Sequence, residues 1–130
     1  FMSSIGVLSV IVQKESTGFI FNRIWRAVKK EALKVVDQGI GTVEDVDRTW
    51  MIQMETTLGP FALIDSIGLD VVRDIELIYY EESGDPTDAP PPLLLDKITN
   101  GELGVKTGRG FYTYPNPSWQ SAGFLKQAPS

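Results

Sequence analysis

The strongest constraint on this chain is the spacing of apolar residues between Ile20 and Val36. At ~100° per residue, Ile20, Phe21, Ile24, Val28, Ala32, Val35 and Val36 fall within one broad arc. Arg23, Arg26, Lys30 and Lys34 fall opposite. The pattern predicts a long helix over about residues 19–38, stopped by Gly39 and Gly41. Further helix signals follow. Thr42 is a capping residue, Glu44 and Asp45 place acids in a first turn, and Val46, Trp50, Met51 and Met54 continue the period, so a helix is expected to about residue 53. Gly59-Pro60 opens another helix, with Pro at the first position, where a missing N–H costs nothing. Phe61, Leu63, Ile64 and Ile67 give it an apolar side, and Gly68 kinks or ends it. Asp70 restarts helix through Val71, Val72, Ile75, Ile78 and Tyr79 to about Glu82.

Residues 83–92 are polar and rich in Pro, as an ordered surface connection would be. A short helix is expected over Leu93–Thr99. Gly101, Gly104, Gly108 and Gly110 then punctuate an irregular closing segment that carries Phe111, Tyr112 and Tyr114, and the tail offers Trp119, Phe124 and Leu125 as anchors. At the other end, residues 1–6 read as a helix tail closed by Gly6, residues 7–13 as a strand, and residues 14–18 as a turn. No other segment is a convincing partner for that strand. Unpaired, it would not be stable in water, so its sheet is expected elsewhere.

Composition narrows the chemistry. The 130 residues suit one domain, and 42% apolar content is a globular value. No apolar run approaches the ~20 residues that span a bilayer, and no cleavable leader is evident. The first residue is Phe1, so an upstream segment is expected. There is no Cys and no His, which excludes a disulfide, a thiolate nucleophile, a zinc site built on these ligands and a Ser-His-Asp relay within this chain. A net charge of −5 argues against a general nucleic-acid binder. The charge is uneven. Residues 17–38 hold Arg23, Arg26, Lys29, Lys30 and Lys34 against Glu31 and Asp37, whereas residues 40–90 hold twelve acids against Arg48 and Arg73. The basic run reads either as a solvated helix face near acidic neighbours or as a local attraction for an anionic ligand.

Three segments, in order, resemble one family. Thr17-Gly18-Phe19-Ile20-Phe21-Asn22-Arg23 is similar to the Pro-Gly-Phe-(apolar)-x-Asn-Arg helix opening of the 3-hydroxyacyl-CoA dehydrogenases. Gly59-Pro60-Phe61-Ala62-Leu63-Ile64-Asp65-Ser66-Ile67-Gly68-Leu69-Asp70 resembles that family's Gly-Pro-Phe...Asp-x-x-Gly-Leu-Asp block. Leu103-Gly104-Val105-Lys106-Thr107-Gly108-Arg109-Gly110-Phe111-Tyr112-Thr113-Tyr114 resembles its closing segment, and Val43-Glu44-Asp45-Val46-Asp47 a further shared helix start.

The resemblance covers roughly residues 7–115 and implies the family's C-terminal helical domain. The fold expected from it is mainly α, of the 6-phosphogluconate-dehydrogenase-like type, with the strand at 7–13 left over from a Rossmann domain. The implied divisions are 1–14 as that remnant, 15–115 as the helical domain and 116–130 as an extended tail. The implied reaction is oxidation of an L-3-hydroxyacyl-CoA to the 3-ketoacyl-CoA by NAD. The cofactor would be held by an N-terminal domain, and no cofactor or metal is expected in this chain. Gly104...Gly108-x-Gly110 is not a dinucleotide fingerprint, because it sits near the C-terminus with no long helix after it. The family's His base and its Glu partner would lie in the N-terminal half, so this chain alone is expected to be inactive.

One catalytic residue carries over by the resemblance: Asn22, expected in the first helical turn beside the substrate's reacting oxygen. Its amide can donate to an oxyanion without titrating. Leu58, Pro60 and Phe61 are placed by the resemblance beside the acyl chain, although core packing is the commoner use of such residues. Asp65 and Asp70 read as brackets around Gly68 in preference to a catalytic pair. Trp25 and Trp50 read as core or interface aromatics. Under the same resemblance the basic run would attract CoA phosphates, and two copies would pair through a face built from Met51, Met54, Ile75, Ile78 and Tyr79. The partners implied are an acyl-CoA and a second copy, with no nucleic acid and no membrane, in the cytoplasm. Thr17 in place of Pro, and Met54-Glu55-Thr56-Thr57 in place of a Gly- and Pro-rich stretch, depart from the family pattern and bear on acyl-chain length. A superfamily enzyme for a small hydroxy acid of carnitine or gulonate type, or a purely helical assembly module, are the other readings.

Overall fold

The computed structural model describes residues 15–126, with side chains from residue 20 onward. The expected helix tail at 1–6, the strand at 7–13 and the last tail residues, 127–130, lie outside the described residues. Five α-helices follow in order: α1 (Glu15–Asp37), α2 (Val43–Met54), α3 (Pro60–Ile67), α4 (Leu69–Ser83) and α5 (Pro92–Thr99). Short 3₁₀ turns occupy Pro86–Asp88, Val105–Thr107, Ser118–Gln120 and Phe124–Lys126. Among the described residues there is no sheet, only two isolated bridges, Gly104–Arg109 and Arg109–Thr113, within the closing segment. The mainly α expectation holds.

The helix starts follow the local chemistry. Thr42 caps α2 by accepting from Asp45 N at 3.0 Å, and the Asp45 carboxylate accepts from Thr42 N at 3.2 Å, a reciprocal capping box. α3 begins at Pro60 as expected. At Gly68 one residue ends α3 and begins α4. Its φ of +109° belongs to glycine, and a Cβ there would sit 3.0 Å from both Lys106 Nζ and Asp70 Oδ1.

α3 is the centre of the domain. Phe61, Ala62 and Ile64 are fully buried and join Ala32 and Leu33 of α1, Leu69 and Val72 of α4, Leu94 of α5 and Tyr112 in one core. Burying a large apolar side chain contributes roughly 1.5–3 kcal/mol, so an eight-residue helix too short to persist alone is fixed by packing. Its polar ends are met by two buried carboxylates. Asp47 of α2 accepts from Phe61 N (2.8 Å), Ala62 N (3.0 Å) and the Tyr112 hydroxyl (2.8 Å). Asp65 of α3 accepts from Phe111 N (2.8 Å), Tyr112 N (3.0 Å) and the Tyr114 hydroxyl (2.8 Å). Gly104, at φ +108°, lies so close to the Asp65 carbonyl oxygen that no side chain would fit between them.

Several expectations are corrected. Residues 15–18 are not a turn: α1 starts at Glu15 and runs through Gly18, because one glycine costs a helix only about 1 kcal/mol. Asn22 is therefore the eighth residue of α1, counting Glu15 as the first, and the dipole and free N–H groups of a first turn do not act on it. The apolar arc of α1 is only partly buried. Ile20, Phe21 and Ile24 are 59%, 43% and 60% exposed, while Ala32 and Leu33 enter the core together with Lys29. Asp65 does not bracket Gly68 but anchors the closing segment; Asp70 does bracket it, through Lys106 at 2.6 Å. In the tail, Phe124 is buried, with the Arg48 guanidinium 4.5 Å from its ring and Arg48 Nε donating to its carbonyl at 2.6 Å. Trp119 packs against the core, whereas Leu125 is exposed and anchors nothing.

Burial pushes the Asp47 carboxyl up to about 6, against the lowering effect of its three hydrogen bonds. Burial likewise raises Asp65. A raised folded-state value adds stability that is complete below the unfolded value of 3.8 and is lost as pH rises through about 6. For Asp47 the change is at most about 3 kcal/mol. The stability advantage of the wild type over Asp47→Asn, measured by urea unfolding, is expected to narrow between pH 4 and pH 7. A gap that widens instead would mean that the hydrogen bonds outweigh burial.

Candidate active-site wall

Residues 22, 25, 26 and 29 are spaced i, i+3, i+4 and i+7, so they share one face of α1. That face, with Ile67 of α3 and Val72, Ile75 and Tyr79 of α4, lines a cleft of about 330 Å³. Asn22 is exposed at this cleft, and no other described residue hydrogen-bonds its amide.

The rest of the cleft is charged as well as apolar. The Arg26 guanidinium lies 4.0 Å from the Tyr79 ring centroid, a cation–π contact, and donates to Asp88 Oδ1 at 2.8 Å. Lys30 contacts the same oxygen, and Ser83 donates to Asp88 Oδ2 at 2.5 Å. Lys30 first, then Ser83 and Arg26, hold the Asp88 carboxyl well below the usual carboxylate range. Deeper in, Lys29 pairs with Glu76 of α4 at 3.1 Å, with both side chains almost fully buried. Arg26 and Lys30 thus meet Asp88 as a partly solvated helix face near acidic neighbours would, whereas Lys29 is drawn into the interior by Glu76. Only the sequence spacing from Asn22 hints at Lys29, whose burial depends on an acid 47 residues away.

Leu58, Pro60 and Phe61 lie apart from this cleft. Leu58 is half-buried, and Pro60 and Phe61 are buried. Phe61 meets Phe111 edge-on, with ring centroids 4.7 Å apart. Pro60 borders a second groove, about 430 Å³, formed with Ala27, Val28, Val35, Val46 and Trp50 on the opposite face of α1. The five residues expected to form one apolar pairing face do not do so. Met51 is buried, Ile75 and Tyr79 line the Asn22 cleft, and only Met54 and Ile78 are prominently exposed. Among the described residues no three His, Cys, Asp or Glu side chains gather as metal ligands would.

The same helical arrangement occurs in the crystal structure of (S)-3-hydroxybutyryl-CoA dehydrogenase from Ralstonia eutropha, with a TM-score of 0.67 and 36% identity over 73% of this chain and 34% of that one. The fold is thus shared with about a third of that dehydrogenase's chain. The chain belongs to the 3-hydroxyacyl-CoA dehydrogenase, C-terminal domain family, whose model matches residues 18–114. A 3-hydroxybutyryl-CoA dehydrogenase of Mycobacterium tuberculosis is 38% identical over 114 residues, covering 88% of this chain. A 5-formyl-3-hydroxy-2-methylpyridine 4-carboxylate 5-dehydrogenase of Mesorhizobium japonicum is 33% identical over 114 residues, covering 85% of this chain. The chain spans 40% of the length of the first of these relatives and 37% of the second.

Proposed function

We propose that this chain is the substrate-side domain of an NAD-dependent L-3-hydroxyacyl-CoA dehydrogenase that converts 3-hydroxyacyl-CoA to 3-ketoacyl-CoA. The observation that carries this reading is the Asn22 carboxamide, exposed at a cleft and without a hydrogen-bond partner among the described residues. In the reaction the carbinol carbon loses a hydride and its oxygen loses a proton, so negative charge gathers on that oxygen. NAD supplies the hydride acceptor. The described residues contain no strand–glycine turn–helix unit that would hold a dinucleotide, so both NAD and a proton-accepting His are assigned to the part of the relatives that this chain does not span.

What this chain contributes is placement. The Asn22 N–H groups donate to the oxygen as its charge develops, and the rigid α1 helix fixes where they stand. Of the apolar residues before and in α3, Leu58 keeps partial exposure and is assigned contact with the acyl chain; Pro60 and Phe61 support it from the core. Pairing of two copies is assigned to the α1–α2 side. There Ile20 and Ile24 are exposed in line with a groove of about 500 Å³ lined by Val35, Val46, Trp50 and Met54. A cytoplasmic location is proposed on the family resemblance alone.

A second reading keeps the same roles but replaces the thioester with a small carboxylic acid. The Mesorhizobium relative, named for a pyridine carboxylate, favours it. Affinity for CoA thioesters that weakens with salt would separate the first reading from the second.

In the complete dehydrogenase, Asn22→Ala is expected to lower kcat by ~10²-fold or more, the usual effect of removing one oxyanion donor, with NAD affinity unchanged; undiminished turnover removes the assignment. The isolated chain titrated with NADH in a calorimeter is expected to give no saturable heat, and tight binding would place the nucleotide site here. Sedimentation equilibrium at high micromolar concentration is expected to show twice the 14.4 kDa chain mass, with Ile24→Asp returning the monomer. A wild type that stays monomeric discards the pairing.

A further inference from the structure

The long helix α1 packs closely against α2, α3 and α5, but it reaches α4 chiefly through long side chains. The Asn22 cleft, about 330 Å³, opens between these two helices. Beyond the Lys29–Glu76 pair, Glu76 lines a second cavity of about 320 Å³ beneath residues 86–92. The pair therefore stands between two open spaces, where little apolar packing sets the distance from α1 to α4. Its side chains are only 2% and 3% accessible, and Lys29 Nζ lies 3.1 Å from Glu76 Oε2. That oxygen has no hydrogen-bond partner among the described residues, so the ion pair with Lys29 is what answers its charge.

A buried ion pair adds little net stability, because desolvation of two charges offsets their attraction. What it supplies here is position. Apolar side chains slide past each other at little cost, whereas a buried ammonium that loses its carboxylate is left as an uncompensated charge. The turns of α1 that carry Asn22 need such a fixed point. Residues 20–24 are all exposed, so nothing described covers them. Lys29 follows Asn22 by two turns on the same face, about 10 Å along the axis. It is the first buried side chain of α1 among the described residues.

We propose that Lys29 and Glu76 are positioning residues, a buried strut that sets the gap between α1 and α4 and thereby where the Asn22 amide stands in the cleft. The proposal rests on the reading of Asn22 as the residue beside the reacting oxygen, and it adds which groups hold that residue in place. A displacement of about 1 Å at a reacting group can lower turnover ~10²-fold. A strut of altered length is therefore read in kcat.

The chain contains no Cys, so spin labels attach only at introduced cysteines, Arg23→Cys on α1 and Asp74→Cys on α4, both exposed positions. Double electron–electron resonance on the full chain is expected to give one narrow distance distribution. Lys29→Met/Glu76→Met removes both charges together and roughly keeps the volume. With it the distribution is expected to broaden or shift, while the thermal midpoint stays level or rises. In the complete dehydrogenase the same pair of substitutions is expected to lower kcat at least about tenfold with NAD affinity unchanged. A pair that served stability alone would lower the midpoint and leave kcat as it was. Lys29→Glu/Glu76→Lys restores opposite charges and is expected to recover the narrow distribution and most of the turnover. A broad distribution in the wild type, or one that the Met pair leaves unaltered, would overturn the strut. So would full turnover of the Met pair in an enzyme that Asn22→Ala disables, or a folded exchanged pair that recovers neither property. Should Asn22→Ala leave turnover intact, the oxyanion assignment fails while the distance measurement still decides the strut, so the two failures are distinguishable.

Discussion

The domain depends on two buried carboxylates at the ends of α3. Asp47 reaches across from α2 and takes the first free N–H groups of α3, while Asp65 reaches from α3 and takes the backbone of the closing segment. Tyr112 ties the two together, since its hydroxyl donates to Asp47 and its backbone N–H to Asp65. Burial penalises each carboxylate and also keeps the Tyr112 hydroxyl protonated, its proton held far above the usual tyrosine range by burial first and by Asp47 next. The donors that surround each carboxylate make the arrangement tenable, because an ionised group in a core survives only when its lone pairs are occupied.

Fixing α3 in this way decides where the open surfaces lie. With α3 packed among α1, α2 and α4, the long first helix presents one face toward α4 and another toward α2. The α4 side carries the carboxamide of Asn22 and the buried ion pair. The α2 side is apolar. The two sides of one helix thus serve different proposed tasks, substrate placement and pairing, and neither requires α1 to move.

The electrostatics of the α4 side differ from a surface ion-pair network. Lys29 and Glu76 are nearly inaccessible, so neither can be lost singly without stranding the other charge. Such a pair is weak evidence of stabilisation, since apolar residues of similar volume would pack as well. It does set the polarity of the cleft floor, and it places a second cation beside Arg26 where an aliphatic wall would otherwise continue.

The helices were legible in the residues themselves. Thr42 with Asp45, Gly59-Pro60 and Gly68 are local signals, and their effect is decided by a few neighbouring backbone groups whatever the rest of the chain does. The family segments around Asn22, Phe61 and Gly104 were legible for the same reason, being contiguous. The segment 15–18 reads as a turn yet is helical, because glycine weakens a helix only slightly, and the apolar arc through Ile20 and Ile24 marks a face without saying what covers it. Asp47 gave no sign of its role: it reads as a surface acid of an amphipathic helix, and its partners lie 14, 15 and 65 residues further on. The same holds for Lys29 with Glu76 and for Asp65 with Tyr114. Periodicity, caps and glycines are properties of adjacent residues and so are written in the sequence. Which charges lie buried against which donors depends on how distant segments pack, and only the tertiary structure decides that.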